Sequence, residues 1–469
     1  MNHTLISNYP VVLRSRLEGL LAGLETGLVE RRRMVRLTLL TALAGEHTLL
    51  IGPPGTAKSE LARRLHLAFH EASYFERLLT RFSVPEELFG PLSISALEQD
   101  RYERQTAGFL PQATIAFIDE VFKANSAILN ALLTLLNERE FDNGAGREQC
   151  PLISCVGATN EVPSDEVAEA FFDRFLTRLP VGAVSAEGFL DLLGQGGDVA
   201  MPDLQALRAE DREAIAAAAR GVTLAPEVLG LLAELRERLR AEQGYVSDRR
   251  WVKIAWLLKV MAATEGRARV ALWDLWLLPW CVAADMERQV EVDAWLCGRL
   301  GVREAFAPPR LTRVVQAFEA QIKLEEEADD LDYDESGRLR FNQEVEAQVS
   351  DAKGGTQAMR MSYKKRRRYG RKHIEARVRQ IDDLIVRIAD YAEEIALRRG
   401  ELADYLAQSL WLDGDFARRA DANLQATGEV VDELRQRALL ARARFEALPP
   451  LPPTEPGAVP EPVDHEALS

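Results

Sequence analysis

Eight consecutive residues near the start of the chain have the types and order that bind phosphate groups. They follow the apolar segment 48–51 and precede a predicted helix, the context that separates a phosphate-binding loop from a chance match. Loop N–H groups and a helix amino terminus both attract anions. Lys58 is placed to reach the β- and γ-phosphates of a nucleotide, and Ser59 offers a hydroxyl to Mg²⁺. The predicted phosphate loop comprises Gly52, Pro53, Pro54, Gly55, Thr56, Ala57, Lys58 and Ser59.

One position of this loop departs from the strict pattern, which places glycine immediately before the lysine. This chain has Ala57 there. Alanine is costly where the backbone φ is positive, but it is tolerated where φ is negative. Because the residue before a helix-opening lysine can adopt a negative-φ cap conformation, we expect a negative φ at Ala57 and an intact nucleotide site.

Polar side chains also follow two other apolar segments. The segment ATIAFIDE ends in Asp119 and Glu120, at the edge where open α/β sheets bind ligands. We expect Asp119 to hold Mg²⁺ and Glu120 to polarise the water that attacks the phosphate. The segment LISCVGATN ends at Asn160, whose amide could orient that water. The simpler alternatives are a strand that happens to end in acids and an asparagine that only forms a turn.

The elements that must position these residues follow from the alternation of apolar and helical segments. Predicted strands lie at 48–51, 77–80, 114–118, 152–157 and 179–181, and predicted helices at 59–72 and 126–138. This alternation predicts an α/β domain with a mostly parallel sheet covered on both faces. The Asn-Gly pair in FDNGAGREQ predicts a β-hairpin before the fourth strand.

Changes in composition divide the chain into four predicted regions. The Gly-rich stretch GQGGDVAMPD ends the α/β domain, and the next region is all-α, with a Trp-rich stripe that we expect to be core. Apolar residues at three- and four-residue spacing then predict three packed, coiled-coil-like helices, and the Pro-rich terminus predicts disorder. The predicted regions are 1–195, 196–306, 307–448 with a polar insert at about 329–370, and 449–469.

The overall composition excludes several classes of protein. The 469 residues carry a net charge of −15, which argues against nucleic acid as the main partner, since binding its backbone requires a dominant basic face. The four cysteines form no CxxC pair and are expected to be buried free thiols in a reducing compartment. The amino terminus lacks a secretory apolar region, and no apolar run approaches about 20 residues. We expect a cytoplasmic protein with no membrane span.

The motifs GPPGTAKS, AFIDE and GATN, in this order, resemble those of AAA+ ATPases. FSVPEELFG, the segment leading to AFIDE, and FFDRF resemble the MoxR group more narrowly. The Ala-for-Gly loop and the helical C-terminal extension resemble its RavA branch. The resemblance covers about residues 1–305 in motif and the remainder in architecture. It implies ATP and Mg²⁺ as ligands, an AAA+ P-loop core with a parallel sheet, an all-α lid domain and a triple-helical C-terminal domain.

The resemblance also implies roles for several polar side chains. Asn160 matches sensor 1, and Arg174 in FFDRF matches the arginine finger that reaches the γ-phosphate of a neighbouring subunit, with Arg178 as a weaker substitute. Arg249 in VSDRRW matches sensor 2, although the adjacent Arg250 is an alternative. Without the resemblance, these arginines would be surface salt-bridge partners. A guanidinium supplied by a neighbour implies a homo-oligomeric ring, by resemblance a hexamer.

Partner proteins are implied only by the RavA resemblance. It suggests a von Willebrand factor A domain protein and, for some members, an inducible lysine decarboxylase. The decarboxylase-binding module expected within the triple-helical domain is a sizeable β-rich insert, whereas this chain has only a short polar stretch there. The short insert argues against that second partner. Tyr102, which the resemblance places in an insert hairpin, is a candidate substrate contact.

Two opposite charge runs flank the polar insert, EEEADDLDYDE at 325–335 and KKRRRYGRK at 364–372. Because they bracket the same insert, intramolecular neutralisation or a solvated tip is favoured over partner docking, and both over nucleic-acid binding.

These observations support three hypotheses of function. The first is a ring-forming motor that hydrolyses Mg²⁺-ATP and remodels or matures protein complexes. The second is an ATP-gated assembly scaffold that recruits partners through its helical tail. The third is a nucleic-acid translocase, for which the acidic chain shows no basic axis. Magnesium-chelatase motor subunits share related motifs, but a three-helix tail is not expected in them.

Overall fold

The computed structural model describes residues 3–144, 146–160, 166–194, 202–242, 244–283, 285–331, 364–452 and 457–468. The chain forms two compact units. The first consists of Met1–Leu300 and Asp404–Arg418, and the second of Gly301–Ala403 and Arg419–Ser469.

A five-stranded parallel sheet forms the centre of the first unit. The strands of the described chain up to residue 180 are β1 His47–Ile51, β2 Tyr74–Leu78, β3 Ile115–Asp119, β4 Glu140–Asn143, β5 Gly146–Gln149, β6 Ser154–Thr159 and β7 Phe175–Pro180. The strand order is β2-β3-β6-β1-β7, and every pairing is parallel. Strands β1 and β6 are buried along their whole length, as near-continuous apolar sequences predict for a sheet covered on both faces. The predicted hairpin in FDNGAGREQ is confirmed as antiparallel β4 and β5.

Helices cover this sheet. They are α1 His3–Glu25, α2 Arg32–Leu43, α3 Lys58–Leu67, α4 Pro85–Phe89, α5 Ile94–Leu97, α6 Ser126–Glu138, α7 Glu166–Phe172 and α8 Ala186–Gly194. The start of α6 shows how the sequence sets a boundary, because Asn125 accepts a hydrogen bond from the backbone N–H of Ile128 at 3.1 Å. Leu132 and Leu136 then recur on the buried face at helical spacing.

A second group of helices follows within the same unit. They are α9 Ala209–Gly221, α10 Pro226–Ala241, α11 Asp248–Thr264, α12 Pro279–Val282 and α13 Met286–Arg299, with the short strands β8 Thr223–Leu224 and β9 Arg269–Val270 paired in parallel. The Trp-rich stripe was predicted to be core, and this prediction is confirmed because Trp273, Trp276 and Trp280 are all buried.

Three long helices form the second unit, as the spacing of apolar residues predicts. They are α14 Pro308–Glu327, α15 Arg371–Gln408 and α16 Gly414–Glu446, of which residues 404–408 and 414–418 belong to the first unit. The predicted seam of α16 is buried throughout, from Leu424 to Phe445. On α15, Ile381, Leu384, Ile388, Tyr391 and Ile395 are buried at alternating three- and four-residue spacing.

The connection between α15 and α16 corrects the predicted boundary of a separate domain at 307–448. Trp411 is fully buried and donates its indole N–H to Thr264 Oγ1 at 2.8 Å. The carboxylate of Glu265 accepts hydrogen bonds from Ser409 Oγ and from the backbone N–H of Leu410, both at 2.7 Å. These contacts make residues 404–418 part of the first unit, which the helical spacing alone could not indicate.

Most of the predicted polar insert at 329–370 lies outside the described residues. Its two ends are closed by antiparallel strands, β10 Asp329–Leu331 and β11 Lys364–Arg366. In this part of the chain, Asp329 stands opposite Arg366. The described ends of the two charge runs therefore pair with each other, as intramolecular neutralisation predicts.

The carboxyl-terminal segment differs from the disordered tail predicted at 449–469. Residues 457–468 form no helix or strand, yet Val463 and Leu468 are buried within the second unit. Glu466 forms ion pairs with Arg313 at 2.8 Å and Arg310 at 3.1 Å. Its Pro-rich composition prevents secondary structure but not packing against α14.

Two predictions made from composition concern the whole chain. No helix among the described residues is long and apolar enough to cross a membrane. All four cysteines are free and buried, as predicted.

Candidate active site

The predicted phosphate loop connects β1 to α3 at the carboxyl edge of the sheet. A Cβ atom at Gly52 would lie 2.0 Å from the carbonyl oxygen of Val181, so only glycine permits this close approach. Within the described residues, the backbone N–H groups of Gly55, Thr56 and Ala57 have no hydrogen-bond acceptor. Unpaired N–H groups before a helix amino terminus form a cradle for an anion.

Ala57 adopts a left-handed conformation, with φ 66° and ψ 24°, so the expected negative φ is wrong. The loop turns through Gly55 at φ 78° and must then direct Lys58 into the first turn of α3, which requires a second left-handed residue. A non-glycine residue in this conformation costs about 1–2 kcal/mol. The loop therefore keeps its fold with an alanine that is strained.

Lys58 is buried beneath the loop and directs its ammonium group into it. Its Nζ donates hydrogen bonds to the carbonyl oxygens of Gly52 and Pro53, the latter at 2.9 Å, and approaches Asn160 Oδ1 at 3.5 Å. Burial lowers the pKa of Lys58, an effect that the charges of Asp119 and Glu120 partly offset. In the part of the chain that the structure describes, this ammonium makes no ion pair, so its charge remains available for a phosphate.

The predicted acids and Asn160 meet at the ends of neighbouring strands. The Nδ2 atom of Asn160 donates to Glu120 Oε1 at 2.6 Å, while its Oδ1 faces Lys58, so the amide bridges the base and the cation. Lys123 Nζ lies 3.3 Å from the other oxygen of Glu120. Glu120 itself has a left-handed φ of 53°, which turns its carboxylate away from the path of the strand. Strain of this kind concentrates where function requires a particular geometry.

Asp119 and Ser59 are the candidate ligands for Mg²⁺. Burial raises the pKa of Asp119, and Lys58 only partly counters this effect, so a nearby divalent cation would favour its charged form. Among the described residues, no three His, Cys, Asp or Glu side chains are grouped so that they could hold a metal ion. One hydroxyl and one carboxylate nevertheless fit Mg²⁺, which usually retains waters and is completed by substrate phosphates.

Arg31 supports the loop from behind, a role that sequence reasoning missed. It is buried, and its Nε donates to the carbonyl oxygen of Thr56 at 3.2 Å while its Nη2 donates to that of Gly182 at 2.8 Å. Thr56 in turn donates its hydroxyl to Pro53 O at 2.9 Å. Three consecutive arginines at 31–33 gave no sign of which one turns inward.

Arg250 is a buried structural residue, which decides between it and Arg249. A guanidinium has five N–H donors, and all five find acceptors here: Cys281 O, Asp173 O, Asp173 Oδ1, Phe175 O and Leu176 O, at 2.6–3.2 Å. Arg249 is exposed and donates only to Asn137 Oδ1 at 3.2 Å. Arg249 is therefore the one of the two that can contact a ligand.

The structure does not bring Arg174 or Arg249 to the phosphate loop of their own chain. Arg174 immediately precedes β7, whose first residue, Phe175, pairs with His47 at the amino end of β1. Arg249 bonds Asn137, one residue from Leu136, whose carbonyl contacts the His47 ring. Both arginines thus lie at the amino edge of the sheet, opposite Lys58.

Arg250 donates hydrogen bonds to Asp173, and these two residues are the sequence neighbours of Arg249 and Arg174. This contact brings Arg249 and Arg174 close together. The guanidinium of Arg174 is loosely held, 3.7 Å from Asp173, and its Nε has no partner among the described residues. Arg178, the predicted substitute, is buried over the Phe172 ring at 3.9 Å and donates to backbone carbonyls. It is not available as a finger.

Tyr102 lies next to the turn that joins β4 and β5, where a Cβ atom at Gly144 would lie 2.2 Å from its carbonyl oxygen. Its side chain is 57% exposed. The backbone of the neighbouring Arg104 exchanges hydrogen bonds with the Asn143 side chain at 2.6 and 3.2 Å. The segment that carries Tyr102 and the hairpin of β4 and β5 are therefore joined by hydrogen bonds. A substrate contact by Tyr102 stays a prediction.

Two family models match successive parts of this chain. Residues 15–218 match a family model described as the MoxR domain in the MoxR-vWA-beta-propeller ternary systems, and residues 227–296 match a AAA lid domain. Two uncharacterized proteins of Methanocaldococcus jannaschii are 41% and 40% identical to this chain, and each alignment covers 56% of the chain and 69% or 70% of the relative. Protein MoxR of Paracoccus denitrificans is 28% identical over 35% of this chain and 50% of its own length.

A solved structure of a candidate ATPase from Cytophaga hutchinsonii is similar in fold. It superposes with a TM-score of 0.52 at 18% identity, covering 63% of this chain and 97% of the other. At this identity the similarity concerns the fold alone.

Proposed function

Because the chain belongs to the MoxR group of AAA+ ATPases, we propose that it hydrolyses ATP with Mg²⁺ in a ring of identical subunits, by resemblance a hexamer. The ring uses this cycle to remodel or mature protein complexes, a chaperone-like role. The observation that carries the proposal is the division of the polar residues between two sheet edges. Lys58, Glu120 and Asn160 lie at one edge, and Arg174 and Arg249 at the other.

The carboxyl-edge residues bind the nucleotide and prepare the water. Lys58 and the loop N–H groups hold the phosphates, and Ser59 and Asp119 hold the metal ion, which when bound neutralises phosphate charge. Glu120 accepts the proton of the attacking water. Asn160 and Lys123 hold the two oxygens of the Glu120 carboxylate in a fixed orientation, so little reorganisation is needed when water arrives.

The amino-edge arginines act on a neighbouring subunit. The charge that develops on the γ-phosphate is best met by a guanidinium, and each chain offers Arg174 and Arg249 only on the face away from its own loop. Arg250 is a positioning residue that joins Asp173 to the start of α11 and so keeps both arginines together.

The hydrolysis proposal is tested with two variants at the same edge. Lys58→Ala removes the ammonium group that binds the phosphates, so we expect loss of both ATP binding and hydrolysis. Glu120→Gln retains binding but lowers the rate of phosphate release about 10²–10⁴-fold, since only the general base is lost. Phosphate release and nucleotide affinity are measured together, with Lys123→Ala as a milder control. Full-speed hydrolysis by Lys58→Ala would contradict the proposal.

A partner with a von Willebrand factor A domain is proposed from the description of the matching family model, which also names a β-propeller protein. This partnership distinguishes the motor from an ATP-gated scaffold. If the partner's activity requires hydrolysis, Glu120→Gln abolishes it while binding persists. If the partner functions fully with Glu120→Gln, the scaffold function is the correct one.

A further inference from the structure

Helix α8 carries an unusual amount of exposed apolar surface. Four of its nine residues are large apolar side chains, with exposed fractions of 51% for Phe189, 69% for Leu190, 49% for Leu192 and 64% for Leu193. Gly188 is the only buried residue of this helix. Single exposed leucines are ordinary, but a contiguous group of four indicates an interaction surface. We call these four residues the α8 patch.

The α8 patch lies beside the phosphate loop. The backbone N–H of Ser185 donates to Glu30 Oε2 at 2.8 Å, and the neighbouring Arg31 donates to Thr56 of the loop at 3.2 Å. A Cβ atom at Gly188 would lie only 2.6 Å from Glu30 Oε1, so this side of α8 packs closely on the turn at residue 30. The nine residues of α8 span about 13 Å, so every residue of the patch lies within about that distance of this anchor.

A complementary surface surrounds Arg249 at the opposite edge of the sheet. Tyr245 is 82% exposed and Val252 is 71% exposed. Val252 lies one helical turn from Arg249 on α11, so the two side chains share one face. We call Tyr245, Arg249 and Val252 the Arg249 surface.

The charges of the two surfaces favour a second copy of the chain as the occupant. Residues 183–194 contain Glu187 and Asp191 and no basic residue, whereas the opposite surface presents Arg249. The exposed acid next to Arg249, Asp248, is already paired with Arg236 at 2.8 Å. Because the two surfaces lie at opposite edges of one sheet, they can meet only between two chains, in the head-to-tail arrangement that closes into a ring.

We infer that the α8 patch of one subunit is covered by the Arg249 surface of the next subunit. This contact buries apolar side chains on both sides and carries Arg249, with Arg174 beside it, to the phosphates held by the first subunit. The inference rests on the proposed function and names the surfaces that the ring requires.

Thiol cross-linking tests this contact directly, because the native cysteines are buried and should react little with a cross-linker. All four native cysteines are buried, and burial raises the pKa of Cys155 and Cys281 to about 12. Leu190→Cys and Val252→Cys place new thiols on exposed positions. We expect a mixture of these two variants, treated with ATP, Mg²⁺ and a short bismaleimide, to form covalent dimers well above the level of either variant alone.

The matched control replaces Leu190→Cys with Leu440→Cys, a 67% exposed residue on α16. If wild-type protein assembles with ATP but the 190–252 pair cross-links no better than the 440–252 pair, the inference is wrong and the proposed ring stands. If wild-type protein stays monomeric with ATP at every concentration, the proposed ring itself fails.

Leu190→Glu provides a second test that does not depend on cross-linking geometry. Placing a carboxylate in an apolar contact should weaken ATP-dependent assembly about tenfold or more while leaving the ATP affinity of the monomer unchanged. Leu440→Glu should do neither. Assembly of Leu190→Glu at wild-type concentration would overturn the inference.

Discussion

Two residues of the candidate site, Ala57 and Glu120, have left-handed backbones without being glycine. The conformation of Ala57 directs Lys58 into the loop, and that of Glu120 turns its carboxylate toward Asn160. Four other non-glycine residues among those described share this conformation, namely Glu30, Glu71, Asp100 and Arg139, so the strain is not confined to the site; at Ala57 and Glu120 it sets the direction of a functional side chain.

The strain at Ala57 should be measurable as stability. We expect Ala57→Gly to raise the free energy of unfolding by about 0.5–1 kcal/mol, because relief of the left-handed penalty exceeds the added entropy of the unfolded chain. Urea unfolding followed by circular dichroism measures this difference. Ala62→Gly, within the helix α3 that follows Ala57, is the matched control and should destabilise by about 1 kcal/mol or more. A destabilised Ala57→Gly protein would contradict the observed loop conformation.

Some residue roles could be predicted from the sequence and others could not. Lys58, Ser59, Asp119 and Glu120 stand at the ends of apolar segments, a pattern visible locally. Arg249 and Arg250 are adjacent, and only tertiary packing decides that the second turns into the protein and finds five acceptors. The sign of φ at Ala57 depends on how the loop closes onto α3, which the sequence pattern does not contain.

At the scale of elements, a buried ionic network joins two helices of the second unit. Glu325 on α14 accepts hydrogen bonds from Arg377 at 2.8 Å and Gln321 at 2.8 Å, and its other oxygen lies 3.0 Å from His373 Nε2. Burial raises the pKa of Glu325, but its hydrogen bonds to His373 and Gln321 and the charge of Arg377 outweigh that effect, so the net pKa is below the ordinary value.

This network should make the stability of the second unit depend on pH. A carboxyl whose folded pKa is depressed contributes stability above its unfolded pKa of about 4.3, and that contribution is lost as the pH falls through the folded value. We expect Glu325→Gln to lower the free energy of unfolding by about 3 kcal/mol at pH 7, because Arg377 is left buried without its anion. The difference from wild type should shrink below about pH 4. A pH-independent difference would show that the charge of Glu325 is not involved.

The elements show the same division between local and distant causes as the residues. The five parallel strands and three long helices follow from local apolar spacing and were predicted, although β2 and β7 begin three and four residues before the predicted segments at 77–80 and 179–181. The packing of residues 457–468 and of Trp411 was not, because both depend on partners far away in the chain, Arg313 for Glu466 and Thr264 for Trp411. Composition alone suggested a disordered tail.

At the scale of the whole molecule, the two edges of the sheet carry different parts of the proposed catalytic set. A mixing experiment tests this directly. Lys58→Ala and Arg174→Ala should each be nearly inactive, the second by about 10³-fold or more. A mixture should regain activity, because a Lys58→Ala subunit supplies Arg174 to the intact loop of an Arg174→Ala subunit. Steady-state phosphate release against mixing ratio is the measurement.

The matched control for this experiment mixes Lys58→Ala with Glu120→Gln. Both substitutions lie at the carboxyl edge, so no combination of these subunits restores a complete site, and the mixture should stay inactive. No recovery in the first mixture would place the arginines and the loop in the same chain's site. Recovery in the control would show that mixing does not report the division between the two edges.

The strand β1 has only five residues and spans about 13 Å, and this distance separates the two sets of polar residues within one chain. The proposed activity should therefore depend on protein concentration. In the proposed mechanism, one chain carries both sets of residues, and the described structure holds them at opposite edges of the sheet. If the proposed ring is required for hydrolysis, turnover per chain depends on protein concentration: below the association threshold the chains bind nucleotide without hydrolysing it, and above the threshold the rate rises faster than the concentration. In the proposed mechanism, a low protein concentration alone would keep hydrolysis slow, without a separate inhibitor.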